Sequence, residues 1–247
     1  MSGPFSRAAI VGAGSIGTAF AVVFARAGLD VALYDPDGDR RQVAARELDS
    51  RLADLDEFGL IEEAPAAIAA RVGIYGSLPE ALDGAQWVQE CAPEILDIKR
   101  AVNSELVSLT GEGTIVGSSS STMPVSQILT DPKARKRCVV AHPGNPPMLL
   151  TVIEIVPAPE TEKAAVEGAA AFFEQVGMSP VVLGREIEGF AFNRLQGAMM
   201  REAYCLVRDG VVAPDDVDKL VREGMGLRWS FIGPLETIDL NIRGGIG

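Results

Sequence analysis

The feature that most constrains this chain is Gly12-Ala13-Gly14-Ser15-Ile16-Gly17, set between an apolar run, Ala8-Ala9-Ile10-Val11, and a helical pattern through Phe20, Val23 and Phe24. That helix stops at Gly28, a residue suited to the left-handed conformation that closes helices. A second apolar run, Val31-Ala32-Leu33-Tyr34, closes on Asp35 and Pro36. Strand, glycine turn, helix and strand within about thirty residues make the length of one βαβ unit. In that setting the first glycine permits a tight turn, the second lets a pyrophosphate approach the backbone, and the third lets the helix pack on the strand. The helix N-terminus adds N–H donors and partial positive charge, so Gly12, Gly14, Ser15, Ile16 and Gly17 are expected to hold a dinucleotide. Asp35, eighteen residues after Gly17, can accept both ribose hydroxyls and would repel a 2′-phosphate. The expected cofactor is therefore NAD rather than NADP. A packing turn followed by a solvated aspartate is the competing reading, which the strand–helix context disfavours.

The alternation continues beyond this unit. Residues 38–71 read as mostly helical, with breaks near Gly59 and Pro65. Strands are expected at 72–75, 87–91, 114–117, 138–142, 152–156 and 180–183, and helices at 79–83, 95–109, 124–130 and 161–176. Strands alternating with helices imply an α/β fold, a Rossmann-type, mainly parallel sheet covered on both faces. After Gly184 the pattern turns wholly helical, with Phe192, Leu195, Met199, Ala203 and Leu206 spaced by three and four. We expect an NAD-binding domain over 1–186 and a smaller all-α domain over 187–247 for substrate and dimer contacts. The helix over 190–208 is too apolar for free exposure and is expected to pack on other helices or a second subunit.

Composition narrows the function. The chain has 247 residues, 47% hydrophobic and 23% charged, which excludes wholesale disorder. Lys and Arg total 22 against 34 acids, a net charge of −12, which argues against a nucleic-acid or anionic-membrane partner. Cys91, Cys138 and Cys205 form no CxxC pair and read as reduced, buried thiols. With one histidine and no cysteine cluster, no metal site is expected. No signal peptide or spanning apolar stretch is visible, so the expected compartment is the cytoplasm.

That one histidine, His142, ends an apolar strand and enters the stiff turn Pro143-Gly144-Asn145-Pro146-Pro147. A lone histidine is more often structural than catalytic, but Val152-Ile153-Glu154-Ile155-Val156 places a carboxylate inside a strand that should be buried. A buried carboxylate needs a partner. His142 is a candidate if the two strands are neighbours, and such a pair is the arrangement of a general base. The run Ser118-Ser119-Ser120-Ser121-Thr122 follows a strand and lies where open α/β sheets bind ligands. A polar loop with a helix cap would account for one or two of these hydroxyls. A Ser–His–Glu hydrolase is a third reading, without the G-x-S-x-G elbow it needs. The glycine turn favours hydride transfer, with His142 as base and Ser121 as a hydrogen-bonding partner.

Together, Gly12-x-Gly14-x-x-Gly17, Asp35, Glu94-x-x-x-x-Lys99, the serine run, His142-Pro-x-Asn145-Pro and Gly189-Phe-x-x-Asn193-Arg194 resemble the L-3-hydroxyacyl-CoA dehydrogenase family along essentially the whole chain. The strings 89–94, 142–147 and 231–237, with Ser119 where acyl-CoA enzymes usually have Asn, look most like its gulonate-dehydrogenase branch. The resemblance implies that His142 takes the hydroxyl proton, Glu154 supports the imidazolium, and Ser121 and Asn193 hydrogen-bond the reacting oxygen. It implies that Glu94 and Lys99 face the nicotinamide ribose; the residues alone read as a helix-surface pair. It further implies a homodimer through the helical domain. The family continues for several tens of residues beyond Pro234-Leu235-Glu236-Thr237, so the chain is expected to be truncated or naturally short.

Gly144 and Met148-Leu149-Leu150-Thr151 depart from the bulkier residues common in the gulonate branch, which bears on the substrate pocket. Residues 35–71, the region resembling the CoA-facing part of the family, hold ten acids, five arginines and no lysine. That balance favours a small free 3-hydroxy acid, L-gulonate-like or carnitine-like, over a CoA ester. Arg194, Arg201 and Arg228 are candidates for its carboxylate. The alternatives are an L-3-hydroxyacyl-CoA dehydrogenase and a non-catalytic, crystallin-like NAD-binding protein.

Overall fold

The computed structural model describes residues 3–241, in which eight strands form one sheet. They are β1 (Arg7–Val11), β2 (Asp30–Tyr34), β3 (Val72–Tyr75), β4 (Trp87–Glu90), β5 (Ile115–Ser118), β6 (Cys138–Pro143), β7 (Val152–Pro157) and β8 (Ser179–Val182). Their spatial order is β3-β2-β1-β4-β5-β6-β7-β8. Every neighbouring pair is parallel except β6 and β7. The order reverses between β1 and β4, and ligands of open α/β sheets bind in the crevice outside the strand ends at such a point.

Eight helices accompany the strands: α1 (Ser15–Arg26), α2 (Gly38–Glu57), α3 (Pro65–Ala69), α4 (Leu78–Leu82), α5 (Leu96–Leu109), α6 (Val125–Ile128), α7 (Pro132–Arg135) and α8 (Lys163–Gln175). Both faces of the sheet are covered because β-strand side chains alternate. Val139 and Ala141 of β6 join a core with α1, α2, α3 and α8. Cys138 and Val140 join the opposite core with α4, α5 and α6, and His142 follows them in the alternation. In α2 the apolar positions Ala44, Leu48, Leu52 and Leu55 form one buried stripe. Asp37 starts that helix by accepting from the amides of Asp39 and Arg40.

After β8 the chain stays with the sheet as far as Phe192, where the first compact unit ends and the second, from Asn193, begins. The reason is local. Gly189 and Phe190 both have positive φ, 72° and 49°, and the turn buries the Phe190 ring in the α4–α6 core. The final helices are α9 (Phe192–Arg208), α10 (Pro214–Lys219), α11 (Gly226–Trp229) and α12 (Pro234–Asn241), with a π-helical segment, Leu220–Met225, between α10 and α11. No residue of α9 is buried, and Leu195, Tyr204, Leu227, Phe231 and Leu235 are exposed. The three cysteines are free; Cys138 is buried and the other two half-buried. Among the described residues no helix is long and apolar enough to cross a membrane.

The α1–α8 face is an aromatic cluster. The Phe172 ring stacks on Trp87 at 4.6 Å and meets Phe5, Phe24 and Phe173 edge-on at 5.0–5.2 Å. Phe172 is fully buried, so Phe172→Ala should cost about 3–5 kcal/mol of unfolding free energy. Urea denaturation followed by Trp fluorescence measures it; a loss under about 1 kcal/mol would show that the cluster does not hold this face together.

Candidate active site

The glycine loop joins β1 to α1 and shows three different packing environments. Gly12 has φ 104°, and a Cβ there would lie 2.5 Å from the Cys91 carbonyl oxygen. At Gly17 a Cβ would lie 1.9 Å from the Gly12 carbonyl oxygen, so the helix can approach the loop only without a side chain. Gly14 opens onto free space, with nothing within 4 Å of a built Cβ. Gly14 also caps α1 without any side-chain acceptor, which leaves the first-turn amides of Ser15, Ile16 and Gly17 for an anion. The residues present therefore fit a pyrophosphate at the second glycine and the helix start.

Asp35, half-buried at the end of β2, accepts from the Ala13 amide at 2.9 Å and the Asp37 amide at 3.0 Å. A carboxylate has about four acceptor positions, so room remains for two hydroxyls. Two arginines unmarked in the sequence brace this loop from α2. Arg40 donates to the Ala13 carbonyl at 2.7 Å, and Arg51 to the Ser15 carbonyl and hydroxyl at 2.7 and 3.0 Å. Glu47 bridges the two guanidinium groups.

At the ends of β4 and β5 the serine run wraps around Glu94. Its Oε1 accepts from the Ser120 hydroxyl at 2.7 Å, the Ser121 amide at 2.9 Å, and the amide and hydroxyl of Thr122 at 3.2 Å. Burial pushes the Glu94 carboxyl up, but these donors and the Lys99 ammonium more than offset it and hold it below the usual range. Lys99 is not a surface residue. It is buried in the packing of α5, and its Nζ lies 3.0 Å from Oε1 of the fully buried Glu90 and 3.4 Å from Glu94. The helix-surface reading fails because Glu90, at the end of the neighbouring strand, supplies the buried counter-charge.

His142 and Glu154 stand directly opposite each other across the β6–β7 pair, so their side chains share one face. Both are buried, and His142 Nδ1 lies 2.8 Å from Glu154 Oε2. The other oxygen, Oε1, accepts from the amides of Ala191 and Phe192 at 2.8 and 2.9 Å. Burial raises the Glu154 carboxyl, while His142 and these two amides outweigh it and keep it below the usual carboxylate range. An ionised carboxylate only accepts, so whenever the imidazole is neutral its proton sits on Nδ1 and Nε2 carries the lone pair. The Phe190 ring lies 5.5 Å from the imidazole.

Ser121 is exposed on the turn after β5, on the side of the sheet where β6 ends. Asn193 is half-buried in the first turn of α9, in the second unit. Glu90 and Asn103, whose side chains meet that of Ser118 in one buried network, escaped the sequence reading. A signal was available: Glu90 lies in the apolar run Trp87-Val88-Gln89-Glu90-Cys91, as Glu154 lies in its own.

Comparisons with known proteins identify the family. A family model described as "3-hydroxyacyl-CoA dehydrogenase, NAD binding domain" matches residues 7–187, and its "C-terminal domain" counterpart matches 189–246. The chain is 42% identical over 250 residues to a lambda-crystallin homolog of Bos taurus, covering 99% of this chain and 78% of that protein. It is 39% identical over 241 residues to an L-carnitine dehydrogenase of Streptomyces griseus, covering 98% of this chain and 70% of that protein. Among solved structures it is similar to 5-formyl-3-hydroxy-2-methylpyridine 4-carboxylic acid 5-dehydrogenase, described as NAD+ dependent, with TM-score 0.85 and 30% identity. That match covers 97% of this chain and 77% of that one. The chain belongs to the 3-hydroxyacyl-CoA dehydrogenase family, NAD-dependent oxidoreductases that act on CH–OH groups.

Proposed function

We propose that this protein oxidises a small free 3-hydroxy acid to the 3-keto acid, with His142 as general base. The observation that carries this reading is the buried contact of 2.8 Å between His142 Nδ1 and Glu154. NAD, when bound, supplies the acceptor for the hydride that leaves the alcohol carbon. His142 takes the hydroxyl proton on Nε2 as the carbon–oxygen bond becomes a carbonyl. Glu154 keeps Nδ1 protonated, fixes the ring and balances the positive charge that forms on it. Ser121 and Asn193 hydrogen-bond the reacting oxygen and hold it near Nε2. Gly12, Gly14, Ser15, Ile16, Gly17 and Asp35 bind the dinucleotide, with Glu94 and Lys99 bordering its nicotinamide half. The working division is a cofactor-binding part over 1–186 and a part over 187–247, of which 242–247 lie outside the described residues, for substrate and dimer contacts.

The free-acid reading is supported by what the arginines of residues 35–71 already hold. Arg40 and Arg51 brace the glycine loop, Arg41 donates to the carbonyls of Asp35 and Pro36, and Arg71 is paired with Glu63. Only Arg46 of the five is left exposed without such a bond among the described residues, a poor anchor for the phosphates of CoA. Relatives named for L-carnitine and for a pyridine carboxylic acid point the same way. The exposed apolar stripe of α9 and a groove of about 820 Å³ lined by Met199, Tyr204, Val207, Val217 and Val221 support a homodimer through the helical part. Three free cysteines fit a reducing cytoplasm.

NAD reduction screened across L-gulonate, L-carnitine, other free 3-hydroxy acids and L-3-hydroxyacyl-CoA esters tests the substrate. A free acid should exceed every CoA ester in kcat/KM by about tenfold or more; the reverse order would establish the acyl-CoA reading. His142→Asn should lower kcat by about 10²–10⁴-fold, with NADH affinity by fluorescence titration within about twofold. Full activity in that variant would remove His142 as the base. Asp35→Ser should raise the NADP-to-NAD ratio of kcat/KM by about tenfold or more, because the repulsion of a 2′-phosphate is gone. An unchanged ratio would mean that Asp35 does not face the ribose.

A further inference from the structure

Glu90 is a carboxylate with no exposure at all, at the carboxyl end of β4, and it takes no part in the mechanism above. Its Oε1 accepts from the Ala92 amide at 2.6 Å and from Lys99 Nζ at 3.0 Å. Its Oε2 accepts from the Ser118 hydroxyl at 2.5 Å and from Asn103 Nδ2 at 3.0 Å. Such a group costs several kcal/mol to bury, so the site retains it for something a neutral side chain would not do.

What it does is visible in its neighbours. Lys99, donating also to the Ala92 carbonyl, is pinned between Glu90 and Glu94. Glu94 in turn gathers the amides of Ser121 and Thr122. Glu90 thus reaches the serine turn twice, directly through Ser118 at its start and through Lys99 and Glu94 at its far side.

We propose that Glu90 is a positioning residue for the oxidation, acting through Lys99, Glu94 and Ser118 to hold the 118–122 turn and with it Ser121. This rests on the assignment of Ser121 to the reacting oxygen. Glu90→Gln keeps the shape of the side chain and removes the charge that holds Lys99. Lys99 then pairs with Glu94 alone and draws its carboxylate from the turn.

Hydrogen exchange in the protein without cofactor reads the link directly. Glu90→Gln should speed exchange at the Ser121 and Thr122 amides by about tenfold or more while the amides of β1 and β6 are unchanged. A uniform rise across the sheet, or no rise at the turn, would overturn the proposal. Kinetics read its consequence. Glu90→Gln should lower kcat by about tenfold in the otherwise unaltered protein and by less than about twofold in a Ser121→Ala background. Equal losses in both backgrounds would reduce Glu90 to a stabilising group and refute the positioning role. Should Glu90→Gln fail to fold, Ser118→Ala leaves the ion pair intact and should show the same pattern with a kcat loss of about threefold. If Ser121→Ala by itself leaves kcat unaltered, the role given to Ser121 fails, and the exchange result still decides whether Glu90 holds the turn.

Discussion

Glu154 reaches in two directions at once, to the imidazole of His142 through one oxygen and to the amides of Ala191 and Phe192 through the other. The first contact exists because β7 runs antiparallel beside β6 in a register that sets His142 opposite Glu154. The second ties the end of the first unit to the same carboxylate. A buried charge with three donors is stable where a buried charge with none would be expelled or neutralised. The same donors keep the carboxylate ionised, and an ionised carboxylate selects the imidazole tautomer a base requires.

The turn at Phe190 is the counterpart of that arrangement. A bulky residue with φ 49° is an unfavourable backbone conformation, of order 1–2 kcal/mol. It persists because the ring is fully buried beside His142 and because the next two amides are held by Glu154. The strain thus sits beside the imidazole, sustained by the contacts that orient it.

Much of this was legible in the residues. Alternating apolar runs and helical patterns located the strands, and the glycine turn marked the junction of β1 and α1, because those features are local. The His142–Glu154 contact was legible through one argument, that a carboxylate inside a buried strand must find a partner. Lys99 was not, since a lysine five residues after a glutamate on a helix looks like solvent-exposed charge until the neighbouring strand is known to end in Glu90. The φ of Phe190 was equally hidden: nothing in Gly189-Phe190-Ala191 distinguishes a helix start from two consecutive positive-φ residues. The antiparallel direction of β7 was not read either, although the connection from Pro143 to Val152 is too brief for the crossover that a parallel pair needs.

Because the chain has one histidine, ¹⁵N-histidine labelling reports on His142 alone. The central claim is that Glu154 holds Nδ1 protonated and leaves the Nε2 lone pair for the substrate proton. Nitrogen chemical shifts of the neutral imidazole should show the Nδ1–H tautomer, and Glu154→Gln should abolish that preference. An Nε2–H tautomer, or an equal mixture unaffected by Glu154→Gln, would contradict the account.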